Sequence, residues 1–259
     1  MLGILGEQAD KVCHQIYNTC SELEFIKLPK HKNLHEAVEA HADMLCFTLG
    51  NKLVVAPILY DPLVESFKNE GSKLEFHTSR GLEEVHVYRR NKQGYVSIIK
   101  GASALSAKYP SNIAYNVALV GKYALHNTKY TDTIVKKMLK EAGYECLHTK
   151  QGYTNCMCLV VNDKAVITSD AGIAKVLKQH GVDVLLIHQG HIDLPGMNYG
   201  FIGGASFRVR DCVYFVGNIM THPQGQEMID FISAHQVRYK CIGTSGLLDI
   251  GSLRFLKTL

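Results

Sequence analysis

A module of about forty residues recurs along this chain, and this repetition constrains the possible folds more than any other feature of the sequence. Each copy has two short apolar strands joined by a tight turn, then a helix, then a third strand. The copies lie at 44–78, 116–149 and 156–189, with a looser copy at 205–242. Because one such unit cannot bury its apolar face alone, the repetition predicts modules that pack side by side around a shared core.

The copy at 156–189 shows the local signals most clearly. Its two apolar runs are separated by Asn162-Asp163-Lys164, which favours a hairpin turn. Asp170 can cap the helix that follows, and Gly181 can end that helix in a left-handed conformation. The apolar string that comes next predicts the third strand.

The two ends of the chain complete the pattern. Residues 7–28 are typical of a helix followed by a strand, and the C-terminal segment predicts one or two strands without a helix. Joined, they would form a fifth module. The stretch 80–109 fits no module and is interpreted as an insertion, either a flap or a hairpin. The sequence therefore predicts a single α/β domain, 1–259, with modules at 7–28 plus 244–259, 41–79, 112–150, 152–189 and 190–243.

Composition narrows the classes of function. With 46% hydrophobic residues the chain can bury a large core. The net charge of +4 is mild and the basic residues are interleaved with acidic ones, so nucleic acid is not an expected partner. We find no export signal and no apolar stretch long enough for a membrane span. The expectation is a cytoplasmic protein with no membrane partner, whose eight cysteines stay reduced.

Two His-x-Asp strings stand near the starts of modules. One is Gly190-His191-Ile192-Asp193 and the other is His41-Ala42-Asp43. On a strand, residues i and i+2 face the same side, so each pair could point at one substrate. A carboxylate can accept two parallel hydrogen bonds from a planar guanidinium. The alternatives are a polar loop for the first string and an exposed helix end for the second.

A candidate nucleophile lies in the string 152–158. Cys156 follows a glycine-led segment and precedes an apolar strand, where a thiolate could attack an electrophilic carbon. Asp249 lies in the closing segment, and Asn112 and Asn116 open the third module, either as turn residues or as contacts at the centre. A metal site is not expected, because Cys158 follows Cys156 too closely and there is no matching second pair.

Five such modules with these strings resemble the pentein fold, the architecture of arginine and agmatine deiminases, dimethylarginine hydrolases and amidinotransferases. The chain is also similar to an uncharacterised bacterial group assigned to that fold. At module level the resemblance covers nearly the whole chain, and at motif level it covers only the short strings above. It implies a five-fold pseudo-symmetric α/β propeller of ββαβ modules, closed by the N- and C-terminal segments.

The resemblance also implies a hydrolase or transferase that acts on a guanidine or amidine carbon through a covalent cysteine intermediate, without a cofactor. Cys156 would be the nucleophile and His41 or His191 the general acid/base. The substrate contacts would be Asp43, Asp193, Asp249, Asn112 and Asn116. In the family the nucleophile normally lies in the last module, where this chain has no Cys. Our hypothesis is therefore that the functional residues follow a circularly permuted order along this chain. The alternative is a non-catalytic pentein that binds the ribosome or a small molecule.

Overall fold

The computed structural model describes residues 1–20, 23–79, 82–89 and 92–257, and within them the strands form several small sheets. The strands are β1 (Leu2–Gly6), β2 (Glu24–Leu28), β3 (Cys46–Leu49), β4 (Lys52–Val55), β5 (Lys73–Ser79), β6 (Leu82–Tyr88), β7 (Val96–Lys100), β8 (Ala118–Val120), β9 (Tyr123–His126), β10 (Glu145–His148), β11 (Cys158–Asn162), β12 (Ala165–Thr168), β13 (Asp183–Leu186), β14 (Ile192–Asp193), β15 (Ser206–Val209), β16 (Cys212–Val216), β17 (Arg238–Ile242), β18 (Leu247–Leu248) and β19 (Arg254–Leu256). The helices are α1 (Asp10–Thr19), α2 (Ala42–Leu45), α3 (Pro57–Asn69), α4 (Thr133–Glu141), α5 (Thr154–Met157), α6 (Ala171–Gln179) and α7 (Gly225–Ala234).

Three copies of the predicted module are built alike. In each, the first two strands pair antiparallel and the third pairs parallel with the second, as in β11, β12 and β13. The same holds for β8 to β10 and for β15 to β17. The predicted cap is confirmed, since the Asp170 carboxylate accepts the Ile173 N–H at 2.7 Å. Gly181 follows α6 with a φ of +76°, as expected for a glycine that ends a helix.

The first module differs from its prediction. The sequence analysis gave this module the bounds 41–79, with its third strand at 74–78, and treated 80–109 as an insertion. In the structure β4 pairs in parallel with β7, while β5 and β6 extend the same sheet as a hairpin in the order β3-β4-β7-β6-β5. The physical reason is burial: Val96 and Ile98 of β7 are fully buried beside β4, whereas Phe76 of β5 is 67% exposed. The added hairpin therefore begins at 73, and residues 80, 81, 90 and 91 lie outside the described part of the chain.

The two ends of the chain form one sheet, as predicted. β1 lies between β2, to which it is parallel, and β19, to which it is antiparallel. Leu2 pairs with Glu24 on one side and with Leu256 on the other. The sequence analysis began this unit at residue 7 and missed β1, whose buried Leu2–Gly6 segment supplies the central strand.

The apolar core is shared between neighbouring units rather than enclosed by each of them. Val120 of β8 packs in one buried cluster with Val166 of β12. Leu159 of β11 packs in another with Phe215 of β16. This side-by-side burial is what the repeat predicted. None of the helices in the described ranges combines the length and the apolar character that crossing a bilayer requires.

Candidate functional site

Two one-turn helices, α2 and α5, stand at the starts of two modules and bring chemically reactive residues together. Each helix runs directly into a buried strand, α2 into β3 and α5 into β11. His41 is the residue before α2, Asp43 lies within it, and Cys156 lies within α5. The two helices meet where the Cys156 Sγ lies 4.0 Å from the Met44 Sδ.

A closed circuit of hydrogen bonds joins the starts of five segments around these helices. Each bond links one segment start to the next, and four of the five are between backbone atoms. The bonds run from Asn116 Nδ2 to the Asp43 carbonyl (3.0 Å), from Asn155 N to the Asn116 carbonyl (3.3 Å), from Gly204 N to the Cys156 carbonyl (3.1 Å), from Ser252 N to the Gly204 carbonyl (2.9 Å) and from Asp43 N to the Gly251 carbonyl (3.2 Å). The circuit fixes the relative positions of the side chains that these segments carry.

The Cys156 thiol is held between a carboxylate and an amide. Its Sγ lies 3.0 Å from the Asp43 Oδ2 and 3.0 Å from the Asn116 Nδ2. Asn155 donates to the same Asp43 oxygen at 3.2 Å. The Asn116 Oδ1 in turn accepts the backbone N–H groups of Asn155 (2.9 Å) and Cys156 (3.2 Å). One asparagine side chain thus positions both the nucleophile's backbone and its sulfur.

A histidine and a second carboxylate lie beside this thiol. The His41 Nδ1 is 3.7 Å from the Asp249 Oδ1, and both side chains are about 1% exposed. Asp249 is fixed by two backbone donors, Phe201 N at 2.8 Å and Gly251 N at 2.9 Å. Among the described residues, the His41 Nε2 and the Asp43 Oδ1 are buried polar atoms without a hydrogen-bond partner. Such atoms are uncommon in folded proteins and are expected where a ligand binds.

Two glycines make room for this pair of side chains. A Cβ at Gly204 would overlap the Asp249 carboxylate, and a Cβ at Gly251 would overlap His41. Gly251 also has a φ of +75°, a backbone conformation that favours glycine. The close approach of these two backbone segments is therefore possible only without side chains.

The ionisation of the site follows from burial and like charge. Burial raises the pKa of the Cys156 thiol well above its usual value, and the charges of Asp43 and Asp249 raise it further. Burial also raises the pKa of Asp249, while His41 lowers it and Asp43 raises it again. The thiol is therefore protonated at neutral pH as long as no cation offsets the two carboxylates.

The site opens into a cavity of about 360 Å³. Besides two tyrosines, six of its lining residues have polar side chains: His35, His41, Asn112, Cys156, Asn198 and Asp249. The other residues that line it are mainly apolar and aromatic. A cavity of this size suits a small molecule, with a few polar groups that would orient it.

Most of the predicted site residues lie in this one region. His41, Asp43, Asn112, Asn116, Cys156 and Asp249 all lie at the cavity or in direct contact with residues that line it. The structure places His191 and Asp193 elsewhere. Neither residue lines the cavity, both side chains are exposed, and the His191 ring packs against His222 with 5.5 Å between centroids. The backbone explains this, because a φ of +62° at His191 breaks the strand alternation on which the prediction depended.

The sequence analysis missed two polar residues that support the thiol. Arg254 is 8% exposed and donates to the Asn155 Oδ1 at 2.7 Å and to the Val117 carbonyl at 3.1 Å. Asn155 then contacts Asp43. The sequence did contain a signal for Arg254, which is a single arginine within an apolar strand pattern. An arginine that is buried in this way needs hydrogen-bond acceptors around it.

A separate cluster on the hairpin of β5 and β6 offers donors for a cation. Candidate ligand atoms of Glu75, His77 and His86 lie within 4.8 Å of one another. The Glu75 carboxylate already binds Lys73 at 2.7 Å and the Tyr88 hydroxyl at 2.8 Å. None of these residues lines the cavity, so the cluster takes no part in the site around Cys156.

Comparisons with known proteins agree with this fold. The inosamine-phosphate amidinotransferase StrB1 from Streptomyces griseus is similar at a TM-score of 0.51 and 12% identity, over 97% of this chain and 90% of that chain. SxtG, an amidinotransferase from Microseira wollei in the saxitoxin biosynthetic pathway, gives a TM-score of 0.49 and 11% identity, over 92% and 75% of the two chains. Amidinotransferases have the pentein fold, so the predicted resemblance is confirmed as a mixed α/β fold of that kind.

At the level of sequence, no curated protein matches. The model of a family of unknown function, DUF6873, matches residues 8–254. That match spans nearly all of the modules described above. The chain therefore belongs to the DUF6873 family.

Proposed function

We propose that this protein is an enzyme that uses Cys156 to attack the central carbon of a guanidine or amidine. The observation that carries the proposal is the contact of a buried thiol with a carboxylate, Sγ to Asp43 Oδ2 at 3.0 Å, next to a second carboxylate paired with His41. A thiol, two carboxylates and an imidazole in one buried cluster suit a cationic, electrophilic substrate. The amidinotransferase-like fold supports the same reading.

The carboxylates would bind the substrate cation. A guanidinium is planar and offers several N–H donors, which pair well with carboxylate oxygens. The Asp43 Oδ1, buried without a partner, is an acceptor available for such a donor. Asp249 lines the cavity and would accept from the opposite side. Because the site is buried, the attraction between these charges is stronger than in water.

Binding of the cation would also activate the nucleophile. The carboxylates that raise the pKa of Cys156 would be neutralised, so its pKa would fall and the thiol would lose its proton to His41. The thiolate would form a C–S bond to the substrate carbon, and His41 would return the proton to the departing amine as its C–N bond breaks. Water in a hydrolase, or an acceptor amine in a transferase, would then form a bond to the thiouronium carbon and give a proton to His41, while the C–S bond breaks and releases Cys156.

The circuit of hydrogen bonds supports the finer architectural proposal of five units around a common centre. Five segment starts contribute to it, and they belong to successive modules along the chain. The order of the reactive residues along the chain would then be permuted relative to the enzymes of this fold. Asp249 comes from the closing segment and Cys156 from a middle one.

A binding protein without turnover is the second candidate. The observation that favours it is the thiol itself, which is 4% exposed and protonated in the free protein. A cavity with two carboxylates could hold a cation without any covalent step. The bound ligand would then leave unchanged.

Mass spectrometry after an acid quench separates the two candidates. The protein would be incubated with agmatine, arginine and acetamidine, and the Cys156 peptide examined for the mass of a thiouronium while released ammonia or amine is measured. We expect the adduct and product in the wild type and in Cys158→Ser, a matched change at a neighbouring buried thiol, and neither in Cys156→Ser. Binding in calorimetry without adduct or product would instead establish the binding protein, and no binding at all would refute both.

A further inference from the structure

We infer that the substrate carries no anionic group, and that its guanidine or amidine bears an apolar chain ending in a hydrogen-bond donor such as an amine or hydroxyl. This inference rests on the proposed function and concerns the part of the same cavity that extends away from Cys156. It separates substrates related to agmatine from α-amino acids such as arginine. Three independent features of the cavity wall support it.

The first feature is charge. Within the described part of the chain, no lysine or arginine lines the cavity, and its fixed charge is the negative charge of Asp249. The basic groups at the wall are two histidines. The His41 Nδ1 is paired with Asp249 at 3.7 Å, and the His35 Nδ1 accepts the Ala37 N–H at 3.2 Å, so neither of these two nitrogens is available to an anion. A bound carboxylate or phosphate would therefore find no cation to compensate its charge.

The physical cost of an anion here is large. An ionised group that leaves water without a partner loses its hydration, and a like charge nearby adds repulsion. Asp249 is 4% exposed, so solvent screens its charge only weakly. A protonated amine at the same place would be attracted by Asp249. A hydroxyl there carries no net charge and would not be repelled. The cavity should therefore bind an anionic ligand more than tenfold more weakly than the matching ligand without the anionic group.

The second feature is an apolar and aromatic wall. It consists of Val38, Tyr153, Leu194, Met197, Tyr199 and Phe201. The rings of Tyr153 and Phe201 are nearly parallel, at 26°, with centroids 6.4 Å apart, and Tyr199 meets Phe201 edge-on at 5.9 Å. Such faces pack against alkyl chains and attract cations.

The third feature is an unused acceptor. The side chain of Asn112, a residue that lines the cavity, donates from Nδ2 to the Tyr153 hydroxyl at 2.8 Å, and this bond does not involve its Oδ1. This oxygen is buried without a partner among the described residues, and Asn112 as a whole is only 6% exposed. A buried carbonyl oxygen without a partner can accept a hydrogen bond from a donor on the ligand, but it repels a carboxylate on the ligand. A chain that ends in an amine or hydroxyl meets this requirement.

Agmatine and arginine form the matched pair for the test, because they differ only by the carboxylate. Affinities would be measured by isothermal titration calorimetry on Cys156→Ser, so that turnover does not interfere, and rates of product release on the wild type. We expect agmatine to bind at least tenfold more tightly than arginine. Met197 lines the cavity and is 44% exposed, so Met197→Lys should supply the missing cation and narrow this difference.

Met220→Lys is the control, because Met220 is 54% exposed and does not line the cavity. It should leave the difference unchanged. Arginine that binds or reacts as well as agmatine would overturn this inference and leave the proposed function standing. If Met197→Lys left the difference in affinity between agmatine and arginine unchanged, as Met220→Lys should, the apolar chain of the substrate would not lie along this wall, and the inference would fail. If neither guanidine bound nor reacted, the proposed function itself would fall.

Discussion

The neighbours of Cys156 decide what this thiol can do. It contacts Asp43 and Asn116, and both the burial and the acidic neighbours favour its protonated form. The residue types at the site were evident from the sequence, since a cysteine, a histidine and aspartates lie at module starts, and the resemblance to the pentein fold implied guanidine chemistry for them. The support from Asn155 and Arg254 was not evident, because neither residue type indicates a role until its partners are known.

At this scale we predict that Asp43→Asn makes the thiol more acidic. The carboxylate lies 3.0 Å from Sγ and stabilises the neutral thiol, so removing its charge should lower the pKa of Cys156. The measurement is the pH dependence of Cys156 alkylation, read by peptide mass mapping. Alkylation should begin at lower pH although guanidine turnover is lost. Asp193→Asn, at an exposed carboxylate outside the cavity, should leave the profile unchanged, and an unshifted profile in Asp43→Asn would contradict the assigned contact.

At the scale of elements, the two His-x-Asp strings show that the same sequence pattern can occupy different structural positions. His41 and Asp43 flank the start of a one-turn helix inside the circuit of segment starts. His191 precedes the short strand β14 and Asp193 lies in it; among the described strands β14 pairs only with β18. The string alone could not separate the two cases, because the backbone around each is set by the element it pairs with.

The glycine at 204 offers a test of how closely these elements must approach. Gly204→Ala would place a Cβ against the Asp249 carboxylate, so we expect a loss of about 1–3 kcal/mol in the free energy of unfolding together with loss of activity. Chemical denaturation and the product assay provide the two readouts. Gly246→Ala is the matched control, because its nearest neighbour, the Asp193 Oδ2, would be 3.6 Å away. Equal effects of the two substitutions would argue against the close packing at Gly204.

At the scale of the whole molecule, the two ends of the chain share one sheet. β19 pairs with β1, and Arg254 at its start binds acceptors in two other units, Asn155 and Val117. One side chain from the last strand thus connects the closing segment to the segment that carries the nucleophile. The sequence analysis interpreted each end as an incomplete module, and the pairing of β1 with β19 agrees with that interpretation.

Replacing Arg254 should therefore destabilise the whole protein. Arg254→Met removes charge-assisted hydrogen bonds and leaves buried acceptors unpaired, which should lower the free energy of unfolding by about 2 kcal/mol or more. Arg238→Met is the comparison, because Arg238 and its partner Asp211 are exposed, and an exposed ion pair contributes little to stability. Thermal and chemical unfolding would measure both variants. Similar losses for the two would show that Arg254 has no special structural role.

The sequence by itself determined three of the repeated modules, the helix start at Asp170 and the helix end at Gly181, because these signals act over a few neighbouring residues. Only the tertiary structure decided that β7 rather than β5 completes the first sheet, since burial beside β4 selects the more apolar strand. It also decided which His-x-Asp pair meets the thiol. Asp43 and Cys156 stand 113 positions apart, and their contact depends on how the modules pack.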